Sequence, residues 1–524
     1  MEKQLVNAER PLAGRQTGLP ALVSSMAGKL AGLIATSKDK SNDKEYLDLD
    51  LFTHMTYMAT VSSSGVARGK IFQSAAALPY SSSSYFKRVN FLVHQLNYDY
   101  PEALRVVGEK TEEPEVRAIL LRMAGTLSSG EPEHIFLARE AYVQGETWSN
   151  AYERDVQSLK TWTDAYVSMI LSAALVVVVA VISMMIYPVQ TSFVVVLCGM
   201  AILATVAGAW VIHRAAPKEI KTASLPESSR GQTSARMLFK LLIPAGVIVC
   251  SILAWLSVDL GWVLLTASAF VLFPGLIIMW DDREIDKHDN DVAGFLRSLG
   301  AVAKAVGTTV SDSVSKIDMR SAGSLYGGIK RLNARLRTGI NTEMCWEKFV
   351  AETGSEQVNR SLRMFRDAVD LGADPGTAGD QSSLYTMKVT LLRARRKLVA
   401  SGFSWLVMVM HGVICFLMLF ICGVLVVFSG AIESMSSLEA GGGMPLPTFG
   451  FFGDSTQLDL FHTLVIMVIL VFTAANAFAI RATGGGHHYK FLFYFGILAA
   501  MSGLAILLTP QLVGMALGTM APIM

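Results

Sequence analysis

Seven stretches of this chain run for about 20 residues each without a single Asp, Glu, Lys or Arg, and nothing else in the sequence constrains the fold as strongly. They are Tyr166 to Tyr187, Ser192 to Ile212, Leu241 to Leu256, Trp262 to Trp280, Phe403 to Phe428, Leu460 to Ile480 and Phe491 to Leu508. As helices, runs of this length cross a hydrocarbon layer about 30 Å thick. A helix is also one of the few shapes that satisfies its own backbone polar groups there. The third and fourth runs carry Pro244 and Pro274 and are joined by little more than Ser257 to Gly261, so they read as a tight hairpin. The expected fold class is an all-α polytopic membrane protein, with two homologous cytoplasmic helical bundles and about seven transmembrane helices.

Charge is low overall, at 17% of 524 residues, against about 25% in soluble proteins. Every Lys and Arg lies within residues 1–160, 214–240, 283–397 or 481–490, which are alternate connections between the runs. The remaining connections hold no basic residue, and 432–459 carries only Glu433, Glu439, Asp454 and Asp459. Short loops rich in Lys and Arg stay in the cytoplasm. The expectation is a cell-membrane protein with a cytoplasmic N-terminus, an external C-terminus and nearly all its polar mass inside. The apolar runs begin only near residue 166, so no secretory signal peptide is expected. Four of the five cysteines lie in the runs and no CxxC pair exists, so neither a disulfide framework nor a structural zinc is expected.

The two large polar regions resemble each other. VRAILLRMAGTLSSG (116–130) places Val116, Ile119, Leu120, Met123 and Leu127 on one helical stripe. VNRSLRMFRDAVDLG (358–372) does the same with Val358, Leu362, Phe365 and Val369, at a constant offset of 242. Gly130 then meets Gly372, and a proline follows each, Pro132 and Pro375. Upstream, Gly65 meets Gly307, and YFKRVN (85–90) has a counterpart in YGGIKRLN (326–333). Both copies run through a charged helix into a membrane span in the same direction, so the duplication is parallel. The expected organisation is a polar arm over 1–50, bundle one over 51–165, four spans over 166–280 with a loop at 214–240, bundle two over 281–402, and three spans over 403–524.

Chemistry is sparse. SSGEPEH and GADPGTAGD lack the Lys of a phosphate-binding loop and put acids where phosphate would sit. GxSxG and HExxH are absent. GGGHHY (484–489) reads as a flexible loop, since adjacent His487 and His488 diverge. His54, His94 and His134 read as structural. In the spans, His411, His462 and Asn476 are the notable polar groups. No enzyme activity, cofactor, catalytic residue or metal site is expected, and no nucleic-acid partner. The surface features that invite a partner are basic: Lys330, Arg331, Arg335 and Arg337, then Arg360, Arg363 and Arg366. The acidic run DDREIDKHDND (281–291) also reads as a solvated face or docking surface.

With MAGTLSSGEP and AVDLGADPG as its repeated centres, the chain resembles the type II secretion F family, the inner-membrane platform proteins of type IV pilus-like machines. Bacterial members usually have three spans; seven, with an inserted hairpin, look like the archaeal branch that serves archaella or TadC-like pili. The resemblance implies a non-catalytic platform. A hexameric cytoplasmic ATPase would dock on the bundles, the basic residues above being its candidate contacts. Pilin- or archaellin-like subunits would leave the bilayer through the spans among membrane lipids, and the platform would be a homodimer. Gly65, Gly130, Gly307 and Gly372 would be structural markers of the repeat. The alternative from the residues alone is a small-solute transporter.

Overall fold

The computed structural model describes residues 46–186, 191–223, 230–307, 309–439 and 455–517. The polar arm up to residue 45, most of the expected external loop and the last residues lie outside that description. Among the described residues the secondary structure is helical, with one isolated β-bridge between Thr222 and Ser355.

Bundle one comprises α1 (Leu47–Ser62), α2 (Arg68–Ala77), α3 (Ser83–Leu96), α4 (Tyr100–Glu109), α5 (Pro114–Ser129) and the start of α6 (Glu133–Ile186). Four membrane segments follow: the end of α6, α7 (Thr191–Ala215), α8 (Arg230–Trp255) and the first half of α9 (Leu260–Val306). The second half of α9 is already bundle two. That bundle continues through α10 (Val310–Val314), α11 (Tyr326–Arg337), α12 (Thr342–Thr353), α13 (Glu356–Asp370) and the start of α14 (Pro375–Glu439). The remaining spans are the end of α14, α15 (Ser455–Gly484) and α16 (Lys490–Leu517). Among the described residues, seven helices are long and apolar enough to cross a membrane.

The repeat is visible helix by helix. α3, α4, α5 and α6 begin within a residue or so of the positions that lie 242 residues before the starts of α11, α12, α13 and α14. The turns agree too. Gly130 and Gly372 have φ of 76° and 96°, and Gly65 and Gly307 have 71° and 66°. L-residues with a Cβ avoid this left-handed region, which is where a helix ends most readily. Asn97 (φ 54°), the tolerated exception, stands opposite Gly339 (φ 74°). Local signals suffice to start these helices. α5 opens on Pro114, where the missing N–H costs nothing. α13 is capped by Ser355, whose Oγ accepts the Val358 N–H at 3.1 Å.

Apolar stripes then close each bundle. Val116, Ile119, Leu120, Met123 and Leu127 of α5 are all buried, as are Val358, Leu362 and Phe365 of α13. The two bundles share one continuous core. Phe52 of α1 packs on Tyr385 of α14 with ring centroids 5.1 Å apart, and Tyr57 donates to Asp367 at 2.8 Å. α6 and α14 lie side by side in register. Glu146 pairs with Lys388 at 2.6 Å and Glu153 pairs with Arg395, each partner being the other's repeat equivalent. A local pseudo-twofold axis therefore runs between these helices.

Exposed tryptophans cluster at the ends of the apolar helices. Trp162, Trp210, Trp280 and Trp405 are exposed where α6, α7, α9 and α14 meet the bundles; Trp255 and Trp262 are exposed at the tip of the α8–α9 hairpin. Amphipathic indoles favour such interfacial positions. The hairpin turn is as tight as its sequence suggests, with Ser257 at φ 54°.

Candidate functional site: a buried ion network at the membrane junction

Just on the bundle side of the tryptophan belt, four segments bring charges into the interior. The first is residues 216–223, the extended stretch after α7. It is held against the start of α13, the Ala223 N–H donating to Gly354 O at 3.0 Å and the Glu356 N–H to Lys221 O at 3.1 Å. This pairing carries Glu219 and Lys221 into the protein.

Glu219 accepts from Arg393 Nε at 3.0 Å and lies 3.3 Å from Arg396 Nη1. Arg393 also reaches Asp289 at 2.9 Å and the Ile220 carbonyl at 3.1 Å. Asp289 accepts in addition from the Ser355 hydroxyl, so the group that caps α13 also anchors α9. Lys221 pairs with Asp282 at 2.8 Å and Asp286 at 2.5 Å; Lys490 pairs with Asp282, and Lys397 with Asp286 at 2.9 Å. Arg396 spends its remaining donors on the carbonyls of Pro217, Ala482 and Thr483 at 2.7, 3.1 and 3.0 Å.

The electrostatics follow from this pairing. Burial alone would push the Glu219 carboxyl up, but Arg393 and Arg396 outweigh it and hold it below the usual carboxylate range. Burial would push the Lys221 ammonium down, and Asp282 and Asp286 outweigh that and raise it. For Asp289 burial wins over Arg393 and the carboxyl is raised. A buried ion pair is weak evidence of net stability, because desolvation offsets attraction, but losing one partner is expensive. Such a network therefore specifies geometry: it fixes how bundle two, the 216–223 stretch and the α15–α16 turn sit under the spans.

Several sequence expectations change here. The acidic run at 281–291 is no docking surface at Asp282, Asp286 and Asp289, which face inward and pair within the chain. The GGGHHY stretch is a fitted turn. Gly485 and Gly486 have φ of 62° and 79°, and a Cβ would lie 2.9 Å from the Arg396 guanidinium and 2.7 Å from Asp282 Oδ1 respectively. Arg393 and Arg396, near the bundle end of the α14 span, are drawn into the network at 12% and 4% exposure.

Among the candidate docking residues, Arg360 lies inside. It is 4% exposed, pairs with Asp50 at 2.7 Å and Glu356 at 3.0 Å, and stacks over Tyr80. It therefore ties bundle two to α1 and presents no free face. Arg363 and Arg366 are half-buried, the latter 5.7 Å from the Trp346 ring centroid. Arg331 and Arg335 share Glu352. Lys330 and Arg337 are exposed on α11, two turns apart. Sequence reasoning missed Glu219 and Lys221; their only signal was charge in a short loop otherwise flanked by spans.

Histidines divide similarly. His54 is fully buried, bonded through Nδ1 to Ser82 at 2.9 Å and stacked 4.3 Å from Phe86; burial lowers its pKa to about 3. His94 and His134 are exposed. His411 sits mid-span at the meeting of four helices. Asn476 Nδ2 donates to its Nδ1 at 3.2 Å, Nε2 donates to Ser502 at 3.0 Å, and Tyr166 donates to Asn476 Oδ1 at 2.9 Å. Such cross-helix bonds satisfy polar groups that lipid cannot. Among the described residues no group of three His, Cys, Asp or Glu is placed to hold a metal.

No family model matches the chain, and no solved structure matches it. Two curated relatives do. Flagella accessory protein J of Methanocaldococcus jannaschii is 22% identical over 433 residues, covering 80% of this chain and 76% of the relative. Flagella accessory protein J of Methanococcus voltae is 20% identical over 452 residues, covering 83% and 79%. Both alignments are too long to rest on one bundle or on the spans alone. Along four fifths of its length this chain is similar to flagella accessory protein J, and its resemblance to an archaeal filament platform is supported by that similarity.

Proposed function

We propose that this chain is a membrane platform for assembly of an archaellum or a related type IV filament, with its bundles in the cytoplasm. The supporting observation is mechanical. α6, α9 and α14 are uninterrupted helices of 54, 47 and 65 residues that belong to a bundle at one end and cross the membrane at the other. At 1.5 Å per residue such helices act as levers. A cytoplasmic ATPase that turns or tilts the bundles would move the spans directly, and those spans would admit the apolar helix of a pilin- or archaellin-like subunit. The names of the relatives support a role in filament assembly, and the Lys/Arg distribution supports the orientation.

Lys330 and Arg337, backed by Arg331 and Arg335, form the ATPase face in this reading. Co-purification with the matching ATPase tests it. The double change Lys330→Glu/Arg337→Glu should abolish capture while leaving the thermal unfolding midpoint unchanged. Undiminished capture refutes the assignment.

A homodimer fits the same reading. Leu384, Met387, Leu391 and Leu398 of α14 are exposed on the bundle side of Trp405, at 59, 50, 57 and 76%. Leu384, Leu391, Leu398 and Trp405 recur every seventh residue, the spacing of a parallel coiled-coil seam. The neighbouring Lys388 and Arg395 are already neutralised by Glu146 and Glu153, so a second copy meets no net repulsion. The four side chains offer on the order of 400 Å² per partner, about half of a standard interface before the flanking helices add theirs. Leu391→Cys should cross-link to itself in native membranes; Phe91→Cys, on α3 and comparably exposed at 59%, should not.

A further inference from the structure

We propose that Arg481, His488 and His213 form a site for a phosphate anion, occupied by the headgroup of a lipid in the leaflet next to the bundles. The argument begins with a charge that lacks its counter-charge. Arg360, Arg393 and Arg396, none more than 12% exposed, each meet a carboxylate. Arg481, at the inner end of α15, meets none among the described residues. Its Nη2 donates to His488 Nδ1, a neutral acceptor, and its Nε is buried with no hydrogen-bond partner. The charge it feels most is another cation, Arg396.

Two imidazoles gather around it from other segments. His488 comes from the α15–α16 turn. His213, at the end of α7, lies 5.2 Å from the Phe478 ring, one helical turn before Arg481. Burial lowers the His488 pKa first, and Arg481 and His213 lower it further, which places all three within electrostatic range of one another. His213 and His488 are both exposed, so the group opens outward.

Its depth in the membrane identifies the ligand class. Trp210, one turn before His213, is exposed and belongs to the tryptophan belt, and the Arg214 guanidinium lies 5.8 Å from its ring centroid. Headgroup phosphates lie at this level. A guanidinium donates charge-assisted hydrogen bonds to phosphate oxygens, and neighbouring cations on such a surface add to the attraction for anionic lipid. The nearby cations Lys490 and Arg396 are committed to Asp282 and Glu219, so the unsatisfied positive potential centres on Arg481. The site does not depend on the platform reading; it requires only that the spans lie in a bilayer.

The test uses the full chain in nanodiscs of phosphatidylcholine, with and without phosphatidylglycerol. Phosphatidylglycerol should raise the thermal unfolding midpoint of the unaltered protein, and native mass spectrometry should detect retained anionic lipid. In Arg481→Gln retention should fall about tenfold or more, the loss expected for one charged hydrogen-bonding group. His488→Gln, which leaves α15 intact, should show a smaller fall and serves if Arg481→Gln does not fold. Lys330→Gln, remote on α11, should retain lipid fully. Full retention in both Arg481→Gln and His488→Gln overturns the site. Inorganic phosphate added to pure phosphatidylcholine discs separates the sources: if it reproduces the rise in midpoint, the occupant is a free anion and the lipid assignment fails.

Discussion

The first copy of the repeat carries Glu146 and Glu153 on α6 where the second carries Lys388 and Arg395 on α14. In a strictly symmetric pair of parallel helices each residue on the axis would face its own twin, and like charges would meet. Duplication within one chain removes that restriction: each copy can change alone, and here the facing positions have opposite signs. The interiors differ more. The second copy draws Arg360 and Arg393 inside, at 4% and 12% exposure, where the first has Ala118 and Ala151, and it crosses α9 with α14 through Gly300 and Gly379 where the first has the buried Met58 and Leu137. Bundle one thus holds together chiefly by apolar packing. Bundle two adds buried cations that tie it to α1, to the 216–223 stretch and to the spans.

The sharpest way to break this contrast is Arg393→Ala. It leaves Glu219 and Asp289 buried beside a lost partner and should cost about 3–5 kcal/mol, read as a large drop in the thermal midpoint of the detergent-solubilised protein. A cost under about 1 kcal/mol would mean that water screens the network.

The helix crossings come next. In the first copy Leu137→Ala opens a cavity and should cost about 2–5 kcal/mol. In the second the opposite change is harmful: a Cβ on Gly379 would sit 2.8 Å from the Leu296 carbonyl oxygen, so Gly379→Ala should cost about 1–3 kcal/mol despite its better helix propensity. Denaturant titration of both variants would show whether the copies pack by different means.

Acid should single out the first copy. His54 has a folded pKa of about 3 against 6.5 when unfolded, so the unfolded chain binds the proton first. Stability is intact above pH 6.5 and falls as pH drops towards 3, at about 1.4 kcal/mol per pH unit. Between pH 7 and pH 5 the expected loss is about 2 kcal/mol. The equivalent residue in the second copy is Leu296, which has no proton to bind. His54→Gln should flatten the pH dependence of the melting midpoint over this range.

The smallest effect belongs to the facing pairs. Glu146→Lys sets two ammonium groups together on a partly exposed surface and should cost about 0.2–1 kcal/mol. Adding Lys388→Glu should restore it. A double-mutant cycle that shows no coupling would remove these pairs as determinants of register.

The apolar runs, the parallel duplication and the hairpin were legible in the sequence because each rests on local or periodic signals: uninterrupted hydropathy, apolar stripes of helical spacing, and glycines at helix ends. The ion network was not. Asp282, Asp286 and Asp289 look like a solvated run when only chain neighbours are considered, and their partners lie 61 and more residues away at Lys221, Arg393, Lys397 and Lys490. Arg360 misled for the same reason: its neighbours Arg363 and Arg366 suggest a surface cluster, while its counter-ion Asp50 is 310 residues distant.

The sequence by itself determined which segments are long and apolar enough to cross a bilayer and that one bundle recurs, since the hydrophobic effect and backbone geometry act on each segment separately. Tertiary structure alone decided which charges are buried. A buried charge is tolerated only with a partner, and the partners are supplied by segments distant in sequence that the fold brings together.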